Sequence, residues 1–287
     1  MKKIYMNLHG ILEIGDDCPT VIMGVLNLSP ESFYQGSVYS DDQSLEKATR
    51  KMIENGVTML DLGARSTAPW SQKITIDEEI NRIQSAMELV CNIIPKEVII
   101  SVDTQYTEVA EVALKISLKF EKKIIINDVS CLKTDSTLED FLIKHNLPVI
   151  LIASKELPGD LCEIAEILHE FSKTIKHLKS KGYNENLIII DPGIGKWVEK
   201  KVHTYDLKII NNLGKLRILN LPILIAISRK SFIGTTLNIP DPENRLNGTL
   251  SSTAIAVYNG AHIVRTHDVD NQIFEIVKMA KEIRRNK

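Results

Sequence analysis

The feature that most constrains this chain is a recurrence. Eight short apolar runs, rich in β-branched residues, alternate with longer amphipathic stretches, and seven of the eight runs end on a polar or charged side chain. The clearest is Ile188-Ile189-Ile190-Asp191-Pro192-Gly193-Ile194-Gly195-Lys196. Its apolar part is far too short to span a bilayer and reads as a buried strand. The strand must stop at Asp191, because Pro192 cannot donate to a sheet ladder and the glycines open the backbone to turn conformations. A carboxylate is thereby set at the C-terminal tip of a buried strand, the end at which parallel α/β folds bind ligands. One such acid is explained equally well as a turn former; its repetition at run after run is not.

The runs are residues 20–26, 57–60, 98–102, 124–126, 148–152, 188–190, 222–227 and 263–264. Helical spacing is expected at 42–54, 77–90, from 104 to about 117, 137–144, 161–181, 205–215, 245–259 and from 272 to the tail. Asn55-Gly56 and Gly182 are placed to stop helices, and the acidic start at Asp77 suits a helix N-terminus. Residues 3–15 alternate weakly around His9-Gly10, which predicts a small hairpin within an extension of residues 1–18. Eight even strand–helix units with no Pro/Gly/Ser linker predict one α/β domain over 1–287, a (β/α)8 TIM barrel with a short N-terminal hairpin. A doubly wound sheet is the alternative, but eight even units favour closure.

Composition narrows the partners. The formal net charge is −2 with no basic run, which argues against nucleic acid, and no apolar run is long enough for a membrane span. The start lacks the apolar core of a signal peptide. Cys18, Cys91, Cys131 and Cys162 are far apart and form no Cys-x-x-Cys pair, so a zinc site or disulfide framework is not expected, and a reducing cytoplasm is.

The run ends read Asn27, Asp61, Asp103, Asn127, Asp191, Lys230, and Arg265 with His267; only the fifth, at Ala153-Ser154, is bland. Barrel closure would bring them to one face as a lined pocket. There is no Gly-x-Gly-x-x-Gly after a strand and no Walker loop, so dinucleotide and P-loop chemistry are poorly supported. Acids and amides around a concavity suit a flat heterocycle with many N–H and C=O groups, and a carboxylate can take two donors from an N–C–NH2 edge. Lys230, Arg265, His267 and Asn27 could hold an anion such as phosphate at the rim.

At these residues the chain resembles the dihydropteroate synthases. The resemblance runs through Met23-Gly24-Val25-Leu26-Asn27-Leu28-Ser29-Pro30-Glu31-Ser32-Phe33, Leu60-Asp61-Leu62-Gly63 with Ser66, Thr67 and Pro69, and Ser101-Val102-Asp103-Thr104. It continues through Ile126-Asn127-Asp128-Val129-Ser130, Asp191-Pro192-Gly193-Ile194-Gly195, Ser228-Arg229-Lys230-Ser231 and Arg265-Thr266-His267-Asp268-Val269. The family joins 6-hydroxymethyl-7,8-dihydropterin pyrophosphate to p-aminobenzoate and releases pyrophosphate, with Mg²⁺. The resemblance implies that Asp61, Asp103, Asn127, Asp191 and Lys230 line the pterin site and that Arg265 stacks on the ring and reaches the phosphate. It implies that Asn27 and His267 hold the pyrophosphate, Asn27 also as a Mg²⁺ ligand, and that Ser66, Thr67, Pro69 and Ser228 lie near the arylamine. Asp103, Lys230, Arg265 and His267 would carry the chemistry, and the last two helices would supply a homodimer face.

Two departures bear on substrate choice. After Gly195 the chain has Lys196-Trp197 where the family has Phe and then Gly-Lys, and after the fifth strand it has Ala153-Ser154-Lys155 in place of a Met-His-Met-like segment. Gln35 and Ala68 stand where the family carries an Asp and an Arg, and Arg65 where it often carries Glu. A basic Arg65 and a small Ala68 predict a bulkier, more anionic arylamine of the phosphoribosylated, methanopterin type. Two other functions share part of this signature: a pterin-binding methyltransferase domain, which needs no anion group, and a non-catalytic pterin-binding protein. Asp128 and Asp268 read as turn or packing residues, Trp197 as loop packing, and His9, His145, His169, His177 and His203 as surface, with His262 at the far end of the last strand.

Overall fold

A computed structural model describes residues 2–30, 38–39, 41–66 and 71–286. Eight parallel strands form the barrel: β3 (Val21–Asn27), β4 (Met59–Gly63), β5 (Ile99–Asp103), β6 (Ile124–Asp128), β7 (Val149–Ile152), β8 (Ile188–Asp191), β9 (Leu224–Ala226) and β10 (Ile263–Thr266). Neighbours pair in the order β8-β7-β6-β5-β4-β3-β10-β9. The ring closes through the parallel bridge Ile190–Ile223 and the bond from Ile190 N to Pro222 O at 3.0 Å. The antiparallel hairpin β1 (Tyr5–Leu8) and β2 (Leu12–Gly15) precedes the barrel.

Side chains on a strand alternate between its faces, so every second residue points into the barrel. Met23, Met59, Ile99, Ile125, Ile150 and Ile189 form the floor of the interior, and Met6, Leu8 and Ile14 of the hairpin plug it from below. Two residues further along the same faces come Asp61, Ser101, Asn127 and Asp191, with Arg265 following Ile263 on β10. The alternate set, such as Leu60, Ile100, Ile126 and Ile190, packs outward under the helices. The lumen therefore changes from apolar to polar within one pleat, and that boundary positions the site.

The helices α1 (Asp42–Glu54), α2 (Ile76–Ile93), α3 (Thr107–Lys119), α4 (Ser136–His145), α5 (Ile164–Ser180), α6 (His203–Asn211), α7 (Ser231–Leu237), α8 (Leu246–Tyr258) and α9 (Asn271–Arg285) wrap the outside. α2 starts where Thr75 caps the Glu78 N–H at 3.1 Å and Glu78 returns to the Thr75 N–H at 2.9 Å. Among the described residues no helix is long and apolar enough to cross a membrane.

The structure departs from expectation in several places. Asp61 is mid-strand rather than at a tip, because β4 continues to Gly63. α7 falls between the seventh run and the 245–259 helix, where no element was expected; it is too short for its period to stand out. Residues 213–219 form a separate 3-10 turn rather than the end of a 205–215 helix. His9 is not a surface residue: half-buried at the hairpin turn, its Nε2 lies 2.8 Å from Ile124 O at the barrel base.

Candidate active site

The inward polar residues meet at the C-terminal end of the barrel. Arg265 Nε donates to Asp61 Oδ2 at 2.6 Å and Nη2 to Asp103 Oδ2 at 3.3 Å, so one guanidinium spans two carboxylates from adjacent strands. Asp61 is fully buried, and an unpaired carboxylate there would be severely penalised; Arg265 supplies its counter-charge. Asn127 Nδ2 makes long contacts of 3.3 and 3.4 Å with Asp61. Asn127 Oδ1 and Ser101 Oγ, both buried, have no partner among the described residues. Buried polar atoms are nearly always satisfied, so an unmet amide oxygen beside this ion network marks a place where a ligand donor fits.

Charge inside the pocket is tuned by burial. Burial pushes the Asp103 carboxyl up to about 8, and the Asp61 charge adds to that while Arg265 opposes it. Burial likewise raises Asp191 and lowers Lys230 to about 8, each charge partly restoring the other. Asp191 is the last residue of β8; its Oδ1 accepts the Gly193 N–H at 2.8 Å. Lys230, just ahead of α7, donates to Ile194 O at 2.6 Å and lies 5.6 Å from the Trp197 ring centroid. Trp197 is thus both a loop-packing residue and a wall beside Lys230.

His267 follows β10 and Ser228 follows β9. Ser228 Oγ lies 2.9 Å from His267 Nδ1 and accepts the His267 N–H at 3.3 Å. A hydroxyl that takes the backbone proton can give its own to Nδ1, which leaves the ring proton on Nε2. Burial, then Arg265, Lys230 and Arg229, hold this imidazole down to about 3, so it is a neutral donor at ordinary pH. Arg229 braces the turn: at φ +57 it is in a left-handed conformation, and its guanidinium grips Asp268 at 2.9 and 2.7 Å. Asp268 is accordingly a packing residue, as is Asp128, which caps the turn at Ser130.

Asn27 ends β3, half-buried, with Oδ1 accepting the Ser29 N–H at 3.0 Å. Ser66 lies on the loop after β4, its Oγ 2.6 Å from Ser71 Oγ. Thr67, Pro69, Trp70, Gln35 and Ala68 fall outside the described residues.

One expectation is corrected here. Arg65 is not available to an anionic substrate. Its Nε bonds buried Glu79 at 2.5 Å, its two Nη atoms reach Ile74 O and Thr75 O at 2.7 and 3.1 Å, and it packs 5.0 Å over Tyr106. Glu79 also accepts from Thr104 Oγ1 at 2.7 Å. In sequence Glu79 looked like one more acid of a helix start, and its partners lie 14 and 25 positions away. Lys201 and Asp206, both buried beneath the loop after β8, were also missed. Nothing in the run Lys196 to Lys201 singles out the last lysine.

A lumen floored by aliphatic side chains and rimmed by paired acids, an unmet amide and basic groups defines a barrel enzyme for a flat polar heterocycle carrying an anion. The profile of the pterin binding enzyme family matches residues 23–267. A dihydropteroate synthase of Bacillus subtilis is 35% identical over 267 residues, covering 91% of this chain and 87% of that protein. The structure of a dihydropteroate synthase from Coxiella burnetii in complex with pteroic acid superposes with a TM-score of 0.83 at 31% identity, over 99% of both chains. That of Xanthomonas albilineans with 4-aminobenzoic acid gives 0.83 at 25% identity, over 98% of both. The chain belongs to the dihydropteroate synthase family of pterin-binding enzymes.

Proposed function

We propose that this chain condenses 6-hydroxymethyl-7,8-dihydropterin pyrophosphate with p-aminobenzoate and releases pyrophosphate, the C–N bond-forming step of folate biosynthesis. The observation that carries the reading is the Asp61–Arg265–Asp103 network in the lumen beside the unmet Asn127 oxygen. Asp191 takes the 2-amino and N3 edge of the pterin, Lys230 the O4 and N5 side, and Asn127 and Asp103 further ring donors, while the outer face of Arg265 stacks on the ring. The bond to pyrophosphate breaks first, leaving a cationic pterin methylene that the amine nitrogen captures. Burial holds Asp103 and Asp191 up and disfavours their ionised forms, whereas positive charge growing on the ring favours those forms, so their stabilisation is greatest in the transition state. Lys230, Arg265 and the Nε2–H of His267 take the charge of the departing pyrophosphate. Ser66 and Ser228 flank the amine, and holding both substrates in line supplies orientation.

The resemblance brings Mg²⁺ with it. Asn27 Oδ1 accepts one N–H and keeps a second lone pair, and no cluster of three His, Cys, Asp or Glu side chains suited to a metal occurs among the described residues. This donor set fits an ion carried mainly by the pyrophosphate and water, with Asn27 as the one protein ligand, as Mg²⁺ commonly is bound. When bound it neutralises the leaving group. Exposed Ile255, Met279 and Ile283 on α8 and α9 support a homodimer built on those helices, and four free, buried cysteines suit the cytoplasm.

The deciding assay follows pyrophosphate release from the pterin pyrophosphate with and without arylamine. Release that requires p-aminobenzoate and yields one dihydropteroate per pyrophosphate is expected. The enclosed Arg65 predicts no preference for a phosphorylated, extended arylamine over p-aminobenzoate. Binding without release would leave a methyltransferase domain or a non-catalytic pterin binder.

A further inference from the structure

The turn after β8 is gripped by two buried side chains, Lys201 from the end of that loop and Asp206 from α6. Lys201 is fully enclosed, its side chain without exposed surface. Its Nζ donates to Gly193 O at 2.5 Å and Gly159 O at 3.1 Å, and stands 4.0 Å from Asp206 Oδ1. Asp206 in turn accepts the Gly195 N–H at 2.9 Å. Gly193 and Gly195 lie at φ +74 and +125, conformations open to glycine, and here a cation holds the carbonyl of the first while an anion holds the amide of the second. Gly193 is the link to the site, because its N–H is the group that Asp191 Oδ1 accepts at 2.8 Å. Gly159 belongs to the loop after β7, and the Trp197 ring lies so close over it that a Cβ would stand 2.3 Å away. Lys201 therefore ties two neighbouring loops to one ammonium.

An apolar side chain of similar volume would fill this space without the cost of burying a charge. What the ammonium adds is direction, since it fixes two carbonyls at once. We propose that Lys201 is a positioning residue for the pterin edge, holding the carbonyls of Gly193 and Gly159 so that the Asp191 carboxylate keeps its aim into the lumen. The inference rests on the assignment of Asp191 and Lys230 to the pterin. It names Lys201 as the residue that sets pterin affinity without touching the ligand.

The test compares Lys201→Met, which keeps length and removes the donors, with Lys201→Gln, which keeps an N–H donor, and with Asp191→Asn as reference. Calorimetry with 6-hydroxymethylpterin gives Kd, and steady-state assays at saturating pterin pyrophosphate give kcat and the arylamine KM. Lys201→Met is expected to raise the pterin Kd about tenfold or more, the loss of a hydrogen bond from a charged donor, while the arylamine KM stays within about twofold. Lys201→Gln should recover part of that affinity. A pterin Kd within about twofold of wild type in folded Lys201→Met, or equal losses for both substrates, overturns the proposal. If Lys201→Met does not fold, Lys201→Gln is judged by the same figures, and failure of both to fold overturns it in favour of a purely structural lysine. Wild-type pterin affinity in Asp191→Asn would instead remove the site assignment itself.

Discussion

The two ends of this barrel carry similar chemistry to opposite ends. At the base, Asp16 is held by both terminal nitrogens of Arg217 at 2.7 and 2.8 Å, by Arg284 at 2.5 Å and by His262 Nε2 at 3.2 Å, and it accepts the Ile4 N–H at 2.9 Å. His262 Nδ1 takes the Ile223 N–H, and Lys281 donates to Gly15 O at 2.7 Å. These bonds tie the end of the hairpin to the 213–219 turn, to α9 and, through His262, to the barrel, and the acid is saturated with donors. At the other end the acids are more sparsely served. Asp61 and Asp103 share a single guanidinium, and the oxygen of Asn127 has no partner among the described residues. A finished ion network fastens elements together, whereas an unfinished one in a concave, apolar-floored lumen has capacity left for a ligand. Charge clustering alone does not separate the two; the count of unmet donors and acceptors does.

That contrast is sharpest under mutation. The largest effect is expected from Asp16→Ala, which would strand Arg217 and Arg284 at the base and cost about 3–5 kcal/mol of folding stability. Denaturant melts would show the loss, and the folded enzyme should keep its pterin Kd and kcat/KM; a fall in affinity would break the division between the two ends.

Next comes Asp191→Asn, with the reverse signature. An amide cannot accept two hydrogen bonds from the pterin edge as a carboxylate does, so binding should weaken by roughly 2–5 kcal/mol with a smaller change in melting temperature. Calorimetry with the bare pterin reads the first quantity, and undiminished affinity would sink the assignment.

His267→Ala should be more selective still. The pyrophosphorylated pterin is expected to lose about tenfold in affinity, and bare hydroxymethylpterin far less, because only the former offers an acceptor to Nε2–H. Arg265→Ala should weaken both ligands, since it also removes a stacking face. Equal losses for the two ligands in His267→Ala would remove its phosphate role.

The smallest effect is a pH dependence at the base. Burial holds His262 down to about 4, with Asp16 opposing. Between about pH 6.5 and 4 the unfolded chain binds a proton that the native protein refuses, so stability rises with pH through that window and is lost as pH falls. His262→Gln should flatten the stability slope through that window. An unchanged slope in the variant would assign that titration to another group.

Much of this arrangement was legible in the chain before any tertiary contact was known. Short apolar runs and their polar ends marked the eight strands and most of the polar set, because a strand's geometry is local and a buried apolar run has few alternatives. Asp103, Asn127, Asp191, Lys230, Arg265 and His267 could be named from their places in that pattern. The hairpin was visible too, though not its task of plugging the barrel, which depends on contacts such as His9 with Ile124, 115 positions away.

What the tertiary structure decided were the partnerships. Arg65 looked like a free cation for an anionic substrate and proved to be locked to Glu79. Asp61 looked like a strand tip and lies inside the lumen, paired across 204 positions with Arg265. Lys201 and Asp206 carried no pattern at all, yet they hold the turn that aims Asp191. The reason is physical. Strand and helix periodicity depend on neighbours a few residues apart and are written into the local sequence. The state of a buried charge depends on which distant groups closure of the barrel brings within bonding distance, and only the folded ring fixes that.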